Sequence, residues 1–366
     1  MARTLHSVSS KTYQLLQPGK IQENVQKKDI KAGYVVIEPT LASICHADIR
    51  YYAGLRKPEA LAKKLPMALL HEGIGTIVES NDSEFQFGQR VVIVPNLPNY
   101  LLKGNEKEAC CNSCRKGNPD NYCEKSSFMG SGYDGIAQHR VVVPSSCAIP
   151  IPEHIPDEIA VLSELCTVSY HALHPLKGTL NANSTRIAVF GDGPVGYLTA
   201  AMLRFLFGVD YSRLLVFGAI PEKLSHFTFA TCQLVHEVDF KKTNGIDVAI
   251  DCTGGIFSES AINQAINLLY PGGSLILMGV SEDRVPINTR DILEKGISLY
   301  GSSRSSVPDY HAVMEAFENL NYQHALKEII PDHYTSIYSA HDFQNAMNDA
   351  SNHKGWKKTI LDFKWS

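Results

Sequence analysis

The sequence predicts an α/β protein made of a β-rich, barrel-like part and a doubly wound parallel sheet. Strand-like segments separated by turn residues dominate roughly the first 150 residues. From about residue 158 onward, apolar strand-like segments alternate with helical ones, which is typical of a parallel sheet flanked by helices. A Gly-x-Gly-x-x-Gly turn at 191–196 follows the first of those strands, where such a sheet binds its ligand.

The composition is that of a globular protein with two domains of ordinary size. The chain has 366 residues, of which 44% are hydrophobic and 20% charged, with a net charge of −4 and interspersed signs. These values predict neither a nucleic-acid nor a membrane partner. The start lacks the apolar core of a signal peptide, and nine cysteines, an odd number, favour thiols and metal over disulfides. We therefore expect a cytoplasmic enzyme.

The first domain is predicted over residues 1–157 and 304–366. Alternating and β-branched residues predict its strands, and Gly and Asp mark the turns between them. The predicted β-rich segments are 13–44, 74–79, 90–95 and 136–143. The tail holds helical stretches and ends in the strand-like Lys358-Thr-Ile-Leu-Asp-Phe, so we expect it to return to this domain.

The second domain is predicted over residues 158–303. Its predicted strands are 186–190, 213–217, 247–251 and 274–279, and its predicted helices are 158–176, 194–207, 222–230 and 258–269. This alternation indicates βαβ units, and hence a parallel sheet that binds a dinucleotide.

Cys45, His71 and Glu164 offer a thiolate, an imidazole and a carboxylate on separate segments. A catalytic zinc needs three such protein ligands and one open position. Taken singly, Cys45 is more often a small buried hydrophobe and His71 a core histidine. Their order ahead of the glycine-rich turn favours the zinc site instead. We expect Glu72 to be an exchangeable ligand or a nearby base, and Asp48 to orient a ligand.

The segment between residues 110 and 123 has cysteines as closely spaced as those of a structural zinc site. Cys111 and Cys114 have sound metal-binding spacing, and Cys123 supplies a third thiol. The fourth donor is open between Cys110 and Glu108. The alternative is a degenerate loop with free thiols.

The glycine-rich turn predicts a nucleotide cofactor. Gly191 permits the tight turn, Gly193 lets the backbone approach a pyrophosphate, and Gly196 allows close packing of helix on strand. The N-terminus of the following helix favours the phosphate charge.

The second strand of this domain indicates which nucleotide is bound. An NAD enzyme usually has an acid about 20 residues after the turn, but here the strand ends in Gly218. Lys223 and His226 follow, so a 2′-phosphate meets cations and no carboxylate, which predicts NADPH. We also assign Arg304, at a later strand end, to the cofactor cleft.

Basic residues cluster between the first two predicted zinc ligands. Such runs are usually solvated, but this segment leaves one ligand and returns to the next, so one or two of its cations can meet an anionic substrate. We rank Arg56 and Lys64 first for a substrate phosphate and Arg50 next. The cluster comprises Arg50, Arg56, Lys57, Lys63 and Lys64.

The order of these motifs resembles that of the zinc-dependent medium-chain dehydrogenase/reductases over essentially the whole chain. Polyol dehydrogenases of that family use Glu as the third zinc ligand, as Glu164 does here. More narrowly, several stretches are similar to the bacterial ribulose-5-phosphate reductases. These are ICHADIRYYAG, KLPMALLHEGIG, SELCTVSYHAL, VFGAIPEKLSHF, ESAINQAINLL, LMGVSEDRVPINTRDILEKG and GSSRS.

This resemblance implies a GroES-like β-barrel catalytic domain plus a Rossmann domain, with the active site in the cleft between them. It also implies NADPH-dependent reduction of D-ribulose 5-phosphate to D-ribitol 5-phosphate, with zinc as Lewis acid. The product would feed CDP-ribitol for teichoic acid or capsule synthesis. A homodimer is expected, and a cytidylyltransferase of the same pathway is a further partner. The alternatives are an NAD-dependent polyol dehydrogenase and a non-catalytic cofactor-binding protein.

Two features depart from the resemblance. Alcohol dehydrogenases of the family carry a proton-relaying Ser or Thr two residues after the first zinc ligand, and Ala47 stands here. The proton route therefore points to Tyr51, a zinc-held water or Glu72. The second departure is the spacing of Cys114 and Cys123, which is one residue longer than usual.

Overall fold

The computed structural model describes residues 4–352 and 355–365, so positions 1–3, 353–354 and 366 of the predicted first domain lie outside the described residues. The strands are β1 (Thr4–Gln17), β2 (Lys20–Lys31), β3 (Tyr34–Ser43), β4 (Met67–Ala68), β5 (Glu72–Ser80), β6 (Arg90–Ile93), β7 (Asn96–Leu97), β8 (Ser127–Phe128), β9 (Val141–Pro144), β10 (Ala148–Pro150), β11 (Ile187–Phe190), β12 (Leu214–Gly218), β13 (Thr231–Leu234), β14 (Ile246–Asp251), β15 (Leu269–Leu277), β16 (Ser298–Gly301), β17 (Thr335–Ile337) and β18 (Ile360–Phe363).

The α-helices are mostly short. They are α1 (His46–Tyr52), α2 (Pro58–Lys64), α3 (Asn99–Lys103), α4 (Asn112–Arg115), α5 (Asp157–Ala160), α6 (Ser163–Leu173), α7 (Lys177–Leu180), α8 (Pro194–Phe205), α9 (Pro221–Leu224), α10 (Ser258–Leu268), α11 (Thr289–Lys295), α12 (Val307–Ala316), α13 (Leu320–Lys327) and α14 (Ala340–Asn352). Among the described residues, no helix has both the length and the apolar character needed to cross a membrane.

The chain packs into two compact units. The first comprises Met1–Thr167, Arg304–Glu315 and Ile330–Ser366, and the second comprises Val168–Ser303 and Ala316–Ile329. Compared with the predicted division, residues 158–167 pack in the first unit and residues 316–329 in the second.

The first unit is built on β-sheets. β1 and β2 form a long antiparallel hairpin that turns at Gly19, whose φ of 74° is in the left-handed region that glycine favours. A seven-stranded sheet has the order β10-β6-β5-β3-β18-β17, with β9 also paired to β3. β3 is central because its apolar run, beginning at Tyr34, is almost entirely buried.

The C-terminal strand completes this sheet beside the end of β3. β18 pairs antiparallel with β3, with Ile360 opposite Ser43. Just outside the strands, the Ile44 N–H donates to the Thr359 carbonyl at 3.0 Å. Lys358 is thereby held beside the point where β3 leads into α1.

The second unit contains one six-stranded sheet in which every pair is parallel. Its order is β13-β12-β11-β14-β15-β16, so the chain runs outward from β11 in one direction and then from β14 in the other. This is the doubly wound arrangement predicted from the sequence. β11 and β12 read as continuous apolar runs because their residues are all buried, and Phe190 stacks on Phe217 at 4.9 Å between ring centroids.

One predicted helix of this unit is much shorter than expected. The pattern over 222–230 predicts a helix, but α9 ends at Leu224. The aromatic residues that follow are used for packing: Phe227 is buried and meets the Tyr197 ring edge-on at 5.1 Å. Tertiary burial of an aromatic side chain overrides helix propensity here.

Candidate active site

Cys45, His71 and Glu72 form a compact donor cluster in the first unit. Cys45 is the N-cap of α1, and Glu72 is the first residue of β5. One sulfur, nitrogen or oxygen ligand atom from each lies within 4.8 Å of the others. His71 and Glu72 are buried, so this cluster is shielded from bulk water.

Asp48 connects the segments that carry Cys45 and His71. The Asp48 side chain is fully buried, and its Oδ2 accepts a hydrogen bond from the Cys45 N–H at 3.0 Å. Its Oδ1 accepts the Leu70 N–H at 3.0 Å and lies 3.5 Å from His71 Nδ1. A carboxylate on the far ring nitrogen fixes the orientation of a metal-binding histidine, which fits the role expected for Asp48.

Glu72 is held on one oxygen, and its other oxygen has no hydrogen-bond partner among the described residues. Its Oε2 accepts hydrogen bonds from Ser43 Oγ and from Lys358 Nζ, the latter at 2.9 Å. Its Oε1 is buried without a hydrogen bond, which is costly for a carboxylate. Thiolate, imidazole and carboxylate are the donors of catalytic zinc, so this set, with its available oxygen, fits a zinc ion.

The neighbouring charges shift the pKa values of His71 and Glu72 toward the ionised forms, whereas burial and Glu72 raise the pKa of the Cys45 thiol. Burial by itself lowers the pKa of His71, but Asp48 and Cys45 raise that pKa well above its ordinary value. Burial raises the pKa of Glu72, yet Lys358 and His71 outweigh it and lower the pKa below the usual range. The Glu72 carboxylate is therefore ionised at neutral pH and has a buried ammonium as counter-ion.

Glu164, predicted as the third ligand, lies outside the three-residue cluster. It is buried in the first turn of α6. Burial raises the pKa of Glu164 to about 7, with His71 acting against the shift and Glu72 adding to it. The structure therefore brings Glu72 to Cys45 and His71, with Glu164 close enough to interact with them electrostatically.

Tyr51 lies at the centre of a second polar cluster. Its hydroxyl lies 3.0 Å from Ser131 Oγ and accepts a hydrogen bond from Lys64 Nζ at 2.7 Å. The Arg56 guanidinium lies 4.8 Å from the centre of the Tyr51 ring. Arg56 and Lys64, the two cations ranked first from the sequence, thus converge on this tyrosine.

Arg304 also belongs to this part of the first unit, although the sequence assigned it to the cofactor. Its guanidinium lies 4.5 Å from the centre of the Phe128 ring, which is 5.5 Å from the centre of the His71 ring. The sum of these two distances is an upper limit, so the Arg304 guanidinium lies no more than 10 Å from the centre of the His71 ring. Burial lowers the pKa of Arg304, while the charges of Tyr51 and Glu164 act to raise it.

Arg50 completes the group of cations. Burial and Arg56 lower the pKa of Arg50, and Tyr51 raises it. Lys64 and Arg56 thus contact Tyr51, and Arg50 and Arg304 interact with it electrostatically. We call this group the cation cluster: Arg50, Arg56, Lys64 and Arg304.

The glycine-rich turn of the second unit has the shape expected for a nucleotide site. Gly191 has φ 129°, and a Cβ on Gly196 would lie 1.9 Å from the Gly191 carbonyl oxygen, so only glycine fits. Gly193 is the N-cap of α8. Gly191, Gly193, Gly218 and Lys223 line one cavity of about 290 Å³, as predicted for residues that share a ligand.

Asp192, which was not predicted from the sequence, binds the backbone just after the end of β12. Its Oδ2 accepts the N–H groups of Ala219 at 2.7 Å and Ile220 at 2.9 Å. A Cβ on Gly218 would lie 2.7 Å from the Asp192 Cβ. The Asp192 side chain therefore leaves no room for a side chain at position 218. The carboxylate at the end of β12 is that of Asp192, which belongs to the glycine-rich turn and not to the strand.

The four cysteines of the second cluster are buried together and form no disulfide. Cys110 Sγ and Cys123 Sγ lie 3.7 Å apart, and the four sulfurs lie within 4.8 Å of one another. A tetrahedral site with Zn–S bonds of about 2.3 Å places its sulfurs roughly 3.8 Å apart. Cys110 thus lies with the other three thiols, whereas Glu108, the other candidate for the fourth donor, is exposed.

We propose that this cysteine cluster holds a structural zinc. Metal analysis of the purified protein is then expected to give about two zincs per chain, one for each donor cluster. Cys111→Ser is expected to leave about one zinc and to lower the melting temperature, because three buried thiols lose their shared ion. One zinc in the wild type, with Cys111→Ser equally stable, would contradict the proposal.

Two family models match the chain. The alcohol dehydrogenase GroES-like domain matches residues 31–153, and the zinc-binding dehydrogenase domain matches residues 220–319. With the Cys–His–Glu donor set and the doubly wound sheet, these matches define the class as a zinc-binding dehydrogenase. They confirm the predicted GroES-like and Rossmann architecture and the predicted oxidoreductase.

The relatives narrow this class. Ribulose-5-phosphate reductase 1 of Staphylococcus aureus is 37% identical over 97% of this chain and 99% of its own. The ribulose-5-phosphate reductase of Bacillus spizizenii is 34% identical over 97% of this chain and 99% of its own. A crystal structure of Staphylococcus aureus TarJ in complex with NADPH has a TM-score of 0.82 and 33% identity, covering 98% of this chain and 100% of that one. The chain therefore belongs to the ribulose-5-phosphate reductases.

Proposed function

We propose that this protein reduces D-ribulose 5-phosphate to D-ribitol 5-phosphate with NADPH. The observation that carries the proposal is the cation cluster, whose Arg304 lies no more than 10 Å from His71 of the zinc-type donor set. A ketose phosphate needs a Lewis acid at its ketone and cations at its phosphate. The first unit provides donors for the Lewis-acidic metal and cationic side chains for the phosphate.

Cys45, His71 and Glu72 would hold the catalytic zinc, with Glu164 as the adjacent carboxylate. When bound, the zinc supplies Lewis acidity toward the C2 ketone. Asp48 fixes the His71 ring, and Lys358 turns Glu72 so that its second oxygen is available. Tyr51 is the proton donor that we propose in place of the missing hydroxyl at Ala47.

The glycines of the turn would hold NADPH, which supplies the hydride. Gly191, Gly193 and Gly196 permit the backbone to approach its pyrophosphate, and the N-terminus of α8 favours the negative charge. Lys223 lines the same cavity and is the cation we assign to the 2′-phosphate. The Asp192 carboxylate is bound to two backbone N–H groups.

Cofactor preference is expected to depend on positions 192 and 218 together. Gly218→Asp alone is expected to weaken both NADPH and NADH, because the new Cβ collides with Asp192. The double variant Asp192→Gly/Gly218→Asp removes that collision, leaves only the end of the flexible Leu224 side chain to move, and supplies a ribose-binding carboxylate. Its preference should therefore move toward NADH. The measurement is kcat/KM for both cofactors. A wild type that prefers NADH would refute the cofactor assignment.

Arg56 is expected to bind the substrate phosphate. Arg56→Ala should lower kcat/KM for ribulose 5-phosphate by about 100-fold, because charge-assisted bonds to phosphate contribute about 1.5–3 kcal/mol each. Free ribulose should lose much less. Lys63→Ala, an exposed cation on α2, is the control and should resemble the wild type on both substrates. Equal losses on the two substrates would place the phosphate elsewhere.

The reaction itself is tested by NADPH oxidation with ribulose 5-phosphate, ribulose, xylulose and fructose. We expect ribulose 5-phosphate to be preferred by at least about 100-fold over the free sugars, by the same phosphate bonds. NADH-dependent turnover of free sugars would instead favour the alternative, a polyol dehydrogenase.

We further propose a cytoplasmic homodimer that passes its product to a cytidylyltransferase, for CDP-ribitol in teichoic acid or capsule synthesis. The resemblance of the chain to its family supports this proposal. Light scattering of the purified protein tests the dimer, and co-purification with the cytidylyltransferase tests the partner. A monomer at micromolar concentration would refute the first.

A further inference from the structure

Tyr51, Lys64 and Ser131 form a closed triangle of hydrogen bonds. Lys64 Nζ donates to the Tyr51 hydroxyl at 2.7 Å and to Ser131 Oγ at 2.9 Å, and the two hydroxyl oxygens lie 3.0 Å apart. The three residues come from three segments, since Tyr51 is in α1, Lys64 ends α2, and Ser131 follows β8. The ammonium is thus directed at a phenol and a hydroxyl.

The Lys64 side chain is held in this position by packing. A Cβ on Gly132 would lie 3.2 Å from Lys64 Cγ, so the absence of a side chain there makes room for the lysine. Gly132 also has φ 83°, which disfavours any other residue. Lys63, one position earlier in α2, is exposed and provides a natural contrast.

Cations contact and influence the Tyr51 phenol. Lys64 faces it from α2 and Arg56 from the loop between α1 and α2, while Arg50 and Arg304 interact with it electrostatically. Burial raises the pKa of Tyr51, but the hydrogen bonds from Lys64 and Ser131, with the charges of Lys64 and Arg56, lower it overall. This buried phenol is therefore a stronger acid than a phenol that is buried without such neighbours.

We propose that Lys64 stabilises the Tyr51 phenolate and does not bind the substrate phosphate, so that Tyr51 and Lys64 act as an acid–base couple. This inference rests on the proposed function. The Tyr51 O–H bond breaks as an O–H bond forms on the C2 oxygen of the ketose. The hydride from NADPH forms the C2–H bond, so the ketone is reduced and NADPH is oxidised. The Tyr51 phenolate remains beside the Lys64 ammonium and regains a proton from water.

Tyr51 is the catalytic residue in this scheme, and Lys64 and Ser131 are positioning residues. Ala47 cannot relay a proton, so the scheme also supplies the acid that the sequence lacks at that position. The substrate phosphate is then left to Arg56, Arg50 and Arg304.

The test is an NMR titration of protein labelled with carbon-13 at the tyrosine Cζ, without substrate. Tyr51→Phe identifies the Tyr51 signal. Lys64→Met is expected to move the midpoint of that signal to higher pH, Lys64→Arg to restore part of the shift, and Lys63→Met to leave it unchanged. Ser131→Ala should give a smaller displacement in the same direction, which keeps the test available if Lys64→Met fails to fold. Unchanged midpoints in both variants would overturn the proposal.

Steady-state kinetics distinguish a Lys64 that stabilises the Tyr51 phenolate from a Lys64 that binds the substrate phosphate. Lys64→Met is expected to lower kcat by roughly 10- to 100-fold on ribulose 5-phosphate and, where it can be measured, on ribulose, with KM nearly unchanged. Tyr51→Phe should lose roughly 100-fold or more. A rise in KM for the phosphorylated sugar alone would make Lys64 a phosphate ligand and refute the couple. If ribulose 5-phosphate is not a substrate at all, the proposed function fails, while the titration still decides the Tyr51–Lys64 interaction.

Discussion

Cys45→Ala is expected to lower kcat/KM by at least about three orders of magnitude while the Kd for NADPH changes little. Removing one of three donors leaves His71 and Glu72 to hold the zinc, and two ligands bind it much more weakly. A Lewis acid contributes several kcal/mol to the transition state, and about 4 kcal/mol corresponds to a thousandfold in rate. The nucleotide site is built from residues of the second unit, so it does not depend on Cys45.

Three measurements check this result: steady-state kinetics, zinc content and NADPH binding by fluorescence. Cys232→Ala is a suitable control, because Cys232 is half-buried and lies outside both metal clusters. It should retain zinc and turnover. Full activity in a metal-free Cys45→Ala preparation would refute a metal-dependent mechanism.

Lys358→Met is expected to destabilise the metal-free protein by about 3–5 kcal/mol, because it leaves the buried Glu72 carboxylate without its counter-ion. The effect should be smaller with zinc bound, since the metal also compensates the carboxylate. Zinc should then bind the folded variant at least as tightly as the wild type, because a smaller loss of stability with the metal present requires a more favourable free energy of zinc binding.

Denaturant unfolding with and without zinc, together with a chelator competition, measures these changes. Lys357→Met is the matched control, since the adjacent Lys357 pairs with Asp332 at the surface, at 2.7 Å. It should leave both stability and zinc affinity close to those of the wild type. Similar losses in the two variants would mean that the buried pair contributes nothing specific.

The sequence allowed the fold class and part of the metal site to be predicted, because both depend on local signals. The spacing of apolar residues within a short window indicates a strand or a helix, and the cysteine and histidine donors lie in short motifs. It ranked Glu164 as the third ligand ahead of Glu72, whereas the structure places Glu72 in the donor cluster with Cys45 and His71. The orientation of Glu72 is set by Lys358, 286 positions later, and no local pattern reports that contact.

The roles of Lys64 and Gly218 were incomplete for a similar reason. A basic residue near a metal ligand reads as an anion-binding group, and only the structure shows its ammonium on a tyrosine hydroxyl. In the sequence, the absence of an acidic residue at position 218 indicates a preference for NADPH. The structure adds that Asp192 occupies the space of a side chain there. Both observations are contacts between separate segments of the chain.

The late position of β18 has a consequence for how the protein is made. From position 72 to position 358 is 286 residues, which a ribosome takes roughly 15–60 s to add at about 5–20 residues per second. During that time Glu72 has been synthesised but its ammonium partner has not, and the sheet of the first unit lacks its C-terminal strand. The second unit has all of its strands by residue 301. We therefore expect the nucleotide-binding unit to become protease-resistant on stalled nascent chains before the metal-binding unit does, and zinc to be taken up tightly only once Lys358 and β18 have left the ribosome.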